Sequence, residues 1–259
     1  MKIGIIGLGF VGSAMHNSFK ELINDKIVTY DKYKLGGIGS LENCLKTDIL
    51  FLALPTQYNK TTGKYNKLAI FETCDYLNTN NFRGSVVVKS TIEPETVDLL
   101  SNKYENLSFI FNPEFLTART AFADFHNQKH IILGKSKNCL DYKYDQVVKF
   151  YQKNYPNAEI SKCSALEAES VKIYLNCFYA AKVQFFTELH QLCKANNTDF
   201  NKIRDIMLKN NWINKMHTNI PGPDGKISYG GLCFPKDTCA LLSYMNSKSI
   251  DISFGYNFP

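Results

Sequence analysis

No stretch of this sequence approaches the roughly eighteen uninterrupted apolar residues that cross a bilayer, so a membrane-spanning protein is not expected. Runs of Lys or Arg are missing too. The 30 basic and 24 acidic residues lie scattered, and their balance of +6 implies a mild pull toward small anions such as phosphates, not a nucleic-acid-binding tail. The eight cysteines, at positions 44, 74, 139, 163, 177, 193, 233 and 239, form no CxxC pair and have no metal-ligand spacing. Free thiols in a reducing compartment, with no metal, are the expectation. Lys2 followed by apolar residues from Ile3 imitates a secretion leader, but Gly4, Gly7, Gly9 and Gly12 would weaken such a helix, and a cytoplasmic location is expected. There is no internal repeat or low-complexity segment. An apolar content of 44% over 259 residues suits a globular chain of about two domains.

In the first 160 residues, short apolar runs alternate with longer amphipathic ones. Strands are predicted at Lys2–Ile6, Ile27–Tyr30, Ile49–Leu54, Ser85–Val88, Ser108–Phe111 and His130–Leu133. Being apolar throughout, they suit strands covered on both faces. Helices are predicted at Val11–Ile23, Lys67–Leu77, Pro94–Ser101 and Leu140–Gln152, which gives a βαβ rhythm. The fold class is therefore α/β, a Rossmann-like doubly wound parallel sheet over residues 1–162. A mainly helical domain follows over residues 163–259. Ser164 and Glu167 have capping-box spacing, and the chain then runs to about Ala195 without Gly or Pro, which predicts one long helix. Val171, Tyr174, Leu175, Phe178, Phe185, Leu189 and Leu192 form its apolar stripe, wide enough to face a core and a second subunit, so a homodimer through this helix is expected. Further helices are predicted over Phe200–Leu208 and from Asp237 to about Ser247, separated by a Gly/Pro-rich loop at Pro221–Gly231.

Gly7-Leu8-Gly9-Phe10-Val11-Gly12 follows a predicted strand and opens a predicted helix, the context that a GxGxxG turn requires. The first glycine permits the turn, the second lets a pyrophosphate approach the backbone, and the third lets helix and strand pack closely. Asp31 lies 19 residues beyond Gly12, where a carboxylate accepts from the ribose hydroxyls of NAD and repels the extra phosphate of NADP. Lys32 and Lys34 leave NADP open as an alternative, although such lysines are more often solvated loop charges. Pro55-Thr56 and Ser90-Thr91 end two further strands and join the cofactor-binding set.

Three other segments carry reactive chemistry. In Gly230-Gly231-Leu232-Cys233-Phe234-Pro235-Lys236-Asp237, a cysteine follows a glycine pair and precedes a helix start. Glycines allow close substrate approach, while the helix terminus and Lys236 favour the thiolate. The other seven cysteines read as small buried hydrophobes. Glu169, Lys172 and Asn176 share one face of the long helix, where Lys and Asn can donate to a developing oxyanion; a solvated polar face explains the trio equally well. Asn112-Pro113-Glu114-Phe115-Leu116 follows a strand, and Glu114 there suits a base or a water-positioning group.

Taken together, these motifs resemble the UDP-glucose/GDP-mannose dehydrogenase family over nearly the whole chain, most specifically in the GGxCxPKD run at Gly230–Asp237. The resemblance implies that the C6 alcohol of a nucleotide sugar is oxidised twice by NAD. UDP-glucose is the leading substrate; GDP-mannose, a UDP-N-acetylhexosamine and a non-catalytic NAD-binding remnant are the alternatives. It assigns Cys233 as the nucleophile that forms a thiohemiacetal and then a thioester. Lys172 and Asp237 become the pair assisting the first proton removal, Asn176 and Thr91 the groups positioning water, and Glu114 the acid/base in hydrolysis. Substrate contacts are implied for Phe115, Leu116, Lys172, Asn176, His217, Thr218, Pro221, Gly222, Tyr229, Gly230 and Gly231. Lys236 joins Gly7, Gly9, Phe10, Val11, Gly12, Asp31, Pro55, Thr56, Ser90 and Thr91 on the cofactor side. Two departures stand out: Ala118 replaces a second glutamate, and an arginine ahead of the cysteine loop is replaced around Trp212. The sequence ends at Pro259, before the position of the family's third domain, and a two-domain enzyme is the expectation.

Overall fold

The computed structural model describes residues 1–23, 26–231 and 233–250. The expected helical domain therefore extends at 251–259 beyond the described residues, as does Leu232 of the cysteine motif. Two compact units emerge, Met1–Lys172 and Ile173–Pro259.

The first unit is built on a seven-stranded sheet: β1 (Lys2–Ile6), β2 (Lys26–Tyr30), β3 (Ile49–Leu52), β6 (Ser85–Val88), β7 (Ser108–Phe111), β8 (His130–Lys135) and β9 (Glu159–Ser164). Between β3 and β6 a small ribbon, β4 (Tyr58–Asn59) with β5 (Lys64–Tyr65), stands apart. The strand order is β2-β1-β3-β6-β7-β8-β9. Alternate side chains of the strands go to opposite faces, because successive residues of a strand point opposite ways. Ile3, Ile5, Phe51, Val87 and Ile110 join Met15 and Phe19 of α1 (Phe10–Leu22) on one face. Leu50, Leu52, Val86, Val88 and Phe109 join Ile70, Cys74 and Leu77 of α3 (Leu68–Thr79) and Val97 of α4 (Thr96–Lys103) on the other. This double coverage is why those strands are apolar throughout. Two short helices, α2 (Leu41–Cys44) and α5 (Ala121–His126), lie in the connections, and α6 (Asp141–Asn154) adds Phe150 and Tyr151 to the first face. There the Phe19 ring meets Phe51 at 5.5 Å and Phe150 at 5.2 Å.

The sheet is parallel except at one junction. β8 pairs antiparallel with β7, Phe111 opposite Gly134, while β9 runs parallel to β8. After β7 the chain stays at the carboxyl end of the sheet through α5, so the next strand must run back.

The capping box forms as read: Ser164 N–H and Oγ donate to Glu167 Oε2, both at 2.7 Å, and Glu167 N–H donates to Ser164 Oγ at 3.2 Å. The helix it opens, α7 (Ala165–Ala195), spans 31 residues. Its first turns belong to the sheet unit, because Ala165 and Ala168 enter the core beside Ile132 and press on Gly134, whose added Cβ would meet Ala168 Cβ at 2.6 Å. The compact units accordingly divide after Lys172, ten residues beyond the boundary expected at Lys162.

In the second unit, Phe186, Cys193, Phe200 and Ile220 form a core cluster, with Val183, Leu189 and Met207 packed on it. Besides the rest of α7 it holds α8 (Phe200–Leu208) and α9 (Phe234–Ser247). The stripe expected to face the core needs correction. Val171, Tyr174, Phe178, Phe185 and Leu192 are exposed, whereas Ile173, Cys177, Ala180 and Phe186 are the buried positions. Around the middle of the helix the small residues Cys177 and Ala180 take the inward face, and Tyr174 and Phe178 fall outside it.

Candidate functional site

β1 and β3 are neighbours although β2 lies between them in sequence, so the carboxyl ends of β1 and β3 flank the point where the sheet order reverses. Ligands of open α/β sheets bind at such points. The three glycines of the turn there differ in kind. Gly7 has φ +90, and an added Cβ would lie 2.4 Å from Ala53 O; one on Gly12 would lie 1.8 Å from Gly7 O. At Gly9 nothing lies within 4 Å, so its backbone is open to a ligand. The turn leads into α1, whose first N–H groups offer the positive end of a helix to a phosphate. A cleft of about 580 Å³ opens beside it, lined by Leu8, Gly9, Phe10, Ser13, Asp31 and Lys34 among others.

Asp31 is held by three backbone N–H groups, Leu8 at 2.7 Å on Oδ2, and Tyr33 at 3.0 Å and Lys34 at 2.9 Å on Oδ1. Burial alone would raise its pKa; the N–H groups of Leu8, Lys34 and Tyr33, with the Lys34 ammonium, outweigh it and hold the carboxyl below its usual value. Lys34 is exposed, yet its ammonium is tied down. Its ammonium donates to Leu8 O at 2.6 Å and Ser13 Oγ at 2.8 Å, inside the cleft. The sequence offered it as an NADP contact or a solvated charge; the bridge between Asp31 and Ile38 folds its loop back over the turn. These groups fit a dinucleotide: an open glycine for the pyrophosphate, a carboxylate for the ribose and a cation beside it.

Of the other residues on the cofactor side, Pro55 is exposed, Thr56 Oγ1 donates to Thr91 O at 2.7 Å, and Ser90 Oγ accepts from Leu54 N–H at 2.8 Å. The Thr56 and Ser90 hydroxyls thus tie the ends of β3 and β6 together. Val11, half-buried in α1, and Phe10, exposed, continue the turn. Lys236 lies in the second unit, paired with Asp237.

The Asn112–Leu116 segment is anchored from below. Buried Asn112 donates to Ile132 O at 2.8 Å, and its Oδ1 accepts from Tyr151 OH at 2.5 Å and Lys89 Nζ at 3.0 Å. Lys89 also donates to Glu114 Oε2 at 2.8 Å. Lys172 donates to the Glu114 main-chain oxygen and lies 4.9 Å over the Phe115 ring. Leu116 packs against the core, and Ala118, where a second carboxylate was looked for, opens an exposed 3₁₀ turn. Glu169 belongs to neither a solvated nor an oxyanion-binding face. Fully buried, it accepts from Glu95 N–H at 2.8 Å and Val97 N–H at 2.7 Å, capping α4 from a distance.

Burial raises the pKa of Glu169 to about 8, against the pull of the Val97 and Glu95 N–H groups. The folded chain therefore keeps a proton that the unfolded chain releases above the usual glutamate value of 4.5. Stability contributed here falls as pH rises from that value through about 8. Glu169→Gln is expected to flatten this slope; thermal unfolding from about pH 5 to about pH 9 measures it, and an unchanged slope counts against the assignment.

In the second unit, Asp237 is fully buried and takes Asn176 Nδ2 at 2.5 Å on Oδ2 and Lys236 Nζ at 2.6 Å on Oδ1. The helix carrying it, α9, begins one turn earlier than expected, at Phe234, with Cys233 as its N-cap and Pro235 in the first turn. Proline is tolerated there because its missing N–H would lack a helical partner anyway. Cys233 is exposed. Of the other seven thiols five are buried and two half-buried, and burial pushes Cys44 and Cys139 up to about 11 and Cys74 and Cys177 up to about 12.

His217 lies between Tyr179, tilted at 4.7 Å, and Phe234, edge-on at 5.3 Å, and its pKa is lowered by burial and by the Lys182 ammonium. Pro221 follows a cis peptide bond and is exposed; Gly222, Tyr229 and Gly230 are half-buried, and Gly231 is exposed at φ +77. Thr218 is fully buried, and its hydroxyl donates to Lys215 O at 2.8 Å. Trp212 is 91% exposed.

A doubly wound sheet with an open glycine turn, a carboxylate held beside it and a downstream helical unit bearing one exposed thiol fits a nucleotide-dependent dehydrogenase. Comparison with known proteins narrows this. Residues 34–153 match the NAD-binding domain, and residues 166–255 the central domain, of the UDP-glucose/GDP-mannose dehydrogenase family. The chain belongs to that family, and its cofactor is NAD. It is 26% identical to a UDP-glucose 6-dehydrogenase of Campylobacter jejuni over 94% of this chain and 67% of the relative. A UDP-glucose dehydrogenase structure from Pyrobaculum islandicum superposes with a TM-score of 0.80 at 23% identity, covering 96% of this chain and 65% of that one. A UDP-D-ManNAc dehydrogenase structure from Pyrococcus horikoshii gives a TM-score of 0.76 at 19% identity, covering 94% and 64%. The chain thus spans about two thirds of the length of these relatives.

Proposed function

We propose that this chain oxidises the C6 alcohol of a nucleotide sugar, UDP-glucose first among candidates, to the carboxylate through a thioester on Cys233. The observation that carries the reading is the exposure of Cys233 at the N-terminus of α9, while the remaining thiols are buried or half-buried. A single alcohol oxidation needs no nucleophile, whereas an acyl-enzyme does. NAD, when bound, accepts the hydride of each oxidation. Lys172 and Asp237 assist removal of the alcohol proton. The Cys233 thiolate adds to the aldehyde carbon, and loss of the second hydride leaves the thioester. Asn176 and Thr91 position the water that releases the acid, with Glu114 taking its proton.

The exposed apolar residues Val171, Tyr174, Phe178, Phe185 and Leu192 support a homodimer through α7, and the free thiols support a cytoplasmic enzyme. A single-chain mass in solution at micromolar concentration would refute the dimer. The activity itself is tested by counting NADH released per sugar over a panel of UDP-glucose, GDP-mannose and UDP-N-acetylhexosamines. Two NADH per UDP-glucose is the expected result, and two from another sugar reassigns the substrate. Binding of NAD with no reduction by any of them would make the chain a non-catalytic remnant.

A further inference from the structure

We infer that Lys89 is the positioning residue that holds the Glu114 carboxylate in its working orientation, an inference that rests on the reading of Glu114 as the acid/base group of thioester hydrolysis. Lys89 sits at the carboxyl end of β6, directly after Val88, and its side chain is 1% exposed. A buried ammonium persists only where its charge and its N–H donors are matched. Here the matches are Glu114 Oε2 at 2.8 Å and Asn112 Oδ1 at 3.0 Å, with the Phe125 ring 5.3 Å away.

The arrangement is directional. Asn112 Nδ2 is committed to Ile132 O, and Tyr151 OH shares its Oδ1, so the amide cannot turn without leaving buried groups unpaired. Asn112 therefore fixes the ammonium, and the ammonium fixes one oxygen of Glu114. Among the described residues, the other, Oε1, accepts a 3.2 Å hydrogen bond from the adjacent Phe115 N–H. Lys172 acts on the same residue through its main-chain oxygen. One lysine thus pins the backbone of the segment and the other pins its carboxylate. In hydrolysis, water adds to the thioester carbon as its proton passes to Glu114. The C–S bond then breaks, and the leaving sulfur takes up that proton. A carboxylate with one oxygen tethered and the other left to take the proton suits this exchange, since misplacing a general base costs much of its effect.

The test compares the full chain with Lys89→Met and Lys89→Arg, supplied with NAD and UDP-glucose. Lys89→Met is expected to keep NAD binding and the first burst of two NADH, to lose about 10- to 100-fold in kcat, and to accumulate a sugar-acyl adduct on Cys233 in the intact mass. Lys89→Arg is expected to recover most of the loss. Should Lys89→Met not fold, Lys89→Gln, which keeps a donor toward Asn112 while removing the charge, gives the same readouts. Wild-type turnover in the uncharged variant would overturn the inference, and so would slow turnover without any adduct. Should the wild-type chain release no NADH from any nucleotide sugar, the Cys233 reading fails. The role of Lys89 is then decided by the crystal structure of the uncharged variant: Glu114 displaced supports it, and Glu114 unmoved overturns it.

Discussion

Cys233→Ser is expected to lower the release of acid by roughly 10³-fold or more while NAD binding stays unchanged. The thiolate is a strong nucleophile near neutral pH, whereas a serine hydroxyl needs a dedicated base to become one. Substitution by oxygen keeps the size of the side chain, and the site is exposed, so the fold is not under strain. The loss therefore reports chemistry rather than stability. Quantifying the sugar acid alongside NADH measures it, with the intact mass showing whether an acyl adduct forms. Acid produced by the serine variant at the wild-type rate would remove sulfur from the reaction and leave a plain alcohol dehydrogenase.

Gly12→Ala should be the most damaging change in the nucleotide turn. Its new Cβ would come within 1.8 Å of Gly7 O, a backbone atom with no freedom to move aside. Helix α1 would have to shift off the turn, at a cost of about 2–4 kcal/mol in stability and with loss of NAD binding. Gly9→Ala provides the contrast, because its Cβ meets nothing within 4 Å. That variant is expected to melt like the wild type and to bind NAD more weakly, the methyl group occupying space the pyrophosphate needs. Calorimetric unfolding and an NAD titration of the two variants decide the matter; equal melting temperatures would sink the packing argument.

The central strands were legible because each is buried on both faces, and Lys2–Ile6, Ser85–Val88 and Ser108–Phe111 fall where their apolar runs place them. β9 was not read, since its sequence, Glu-Ile-Ser-Lys-Cys-Ser, belongs to a sheet edge with no fully buried position and carries no such run. The β4–β5 ribbon was hidden for a similar reason: it is two residues to a strand and pairs only with itself. On α7, hydrophobic bulk misled. Tyr174 and Phe178 have the larger side chains, yet Cys177 and Ala180 take the buried positions, because closeness of packing and not size selects that face.

Within the site, the glycine turn and Asp31 could be found from spacing because each acts through local backbone geometry. The partners of Glu114 could not. Lys89, Asn112 and Tyr151 converge on one another from β6, β7 and α6, and no sequence interval encodes that meeting. Glu169 was equally opaque, being separated by 74 residues from Glu95, whose N–H it accepts.

The distribution of sulfur has a practical corollary. With five thiols sealed away, two half-covered and one facing solvent, the native chain carries its own attachment point for an electrophilic fluorophore. A dye coupled under mild conditions would settle mainly at the head of α9, and protection of that position by an added sugar nucleotide would give an optical measure of occupancy without any engineered handle.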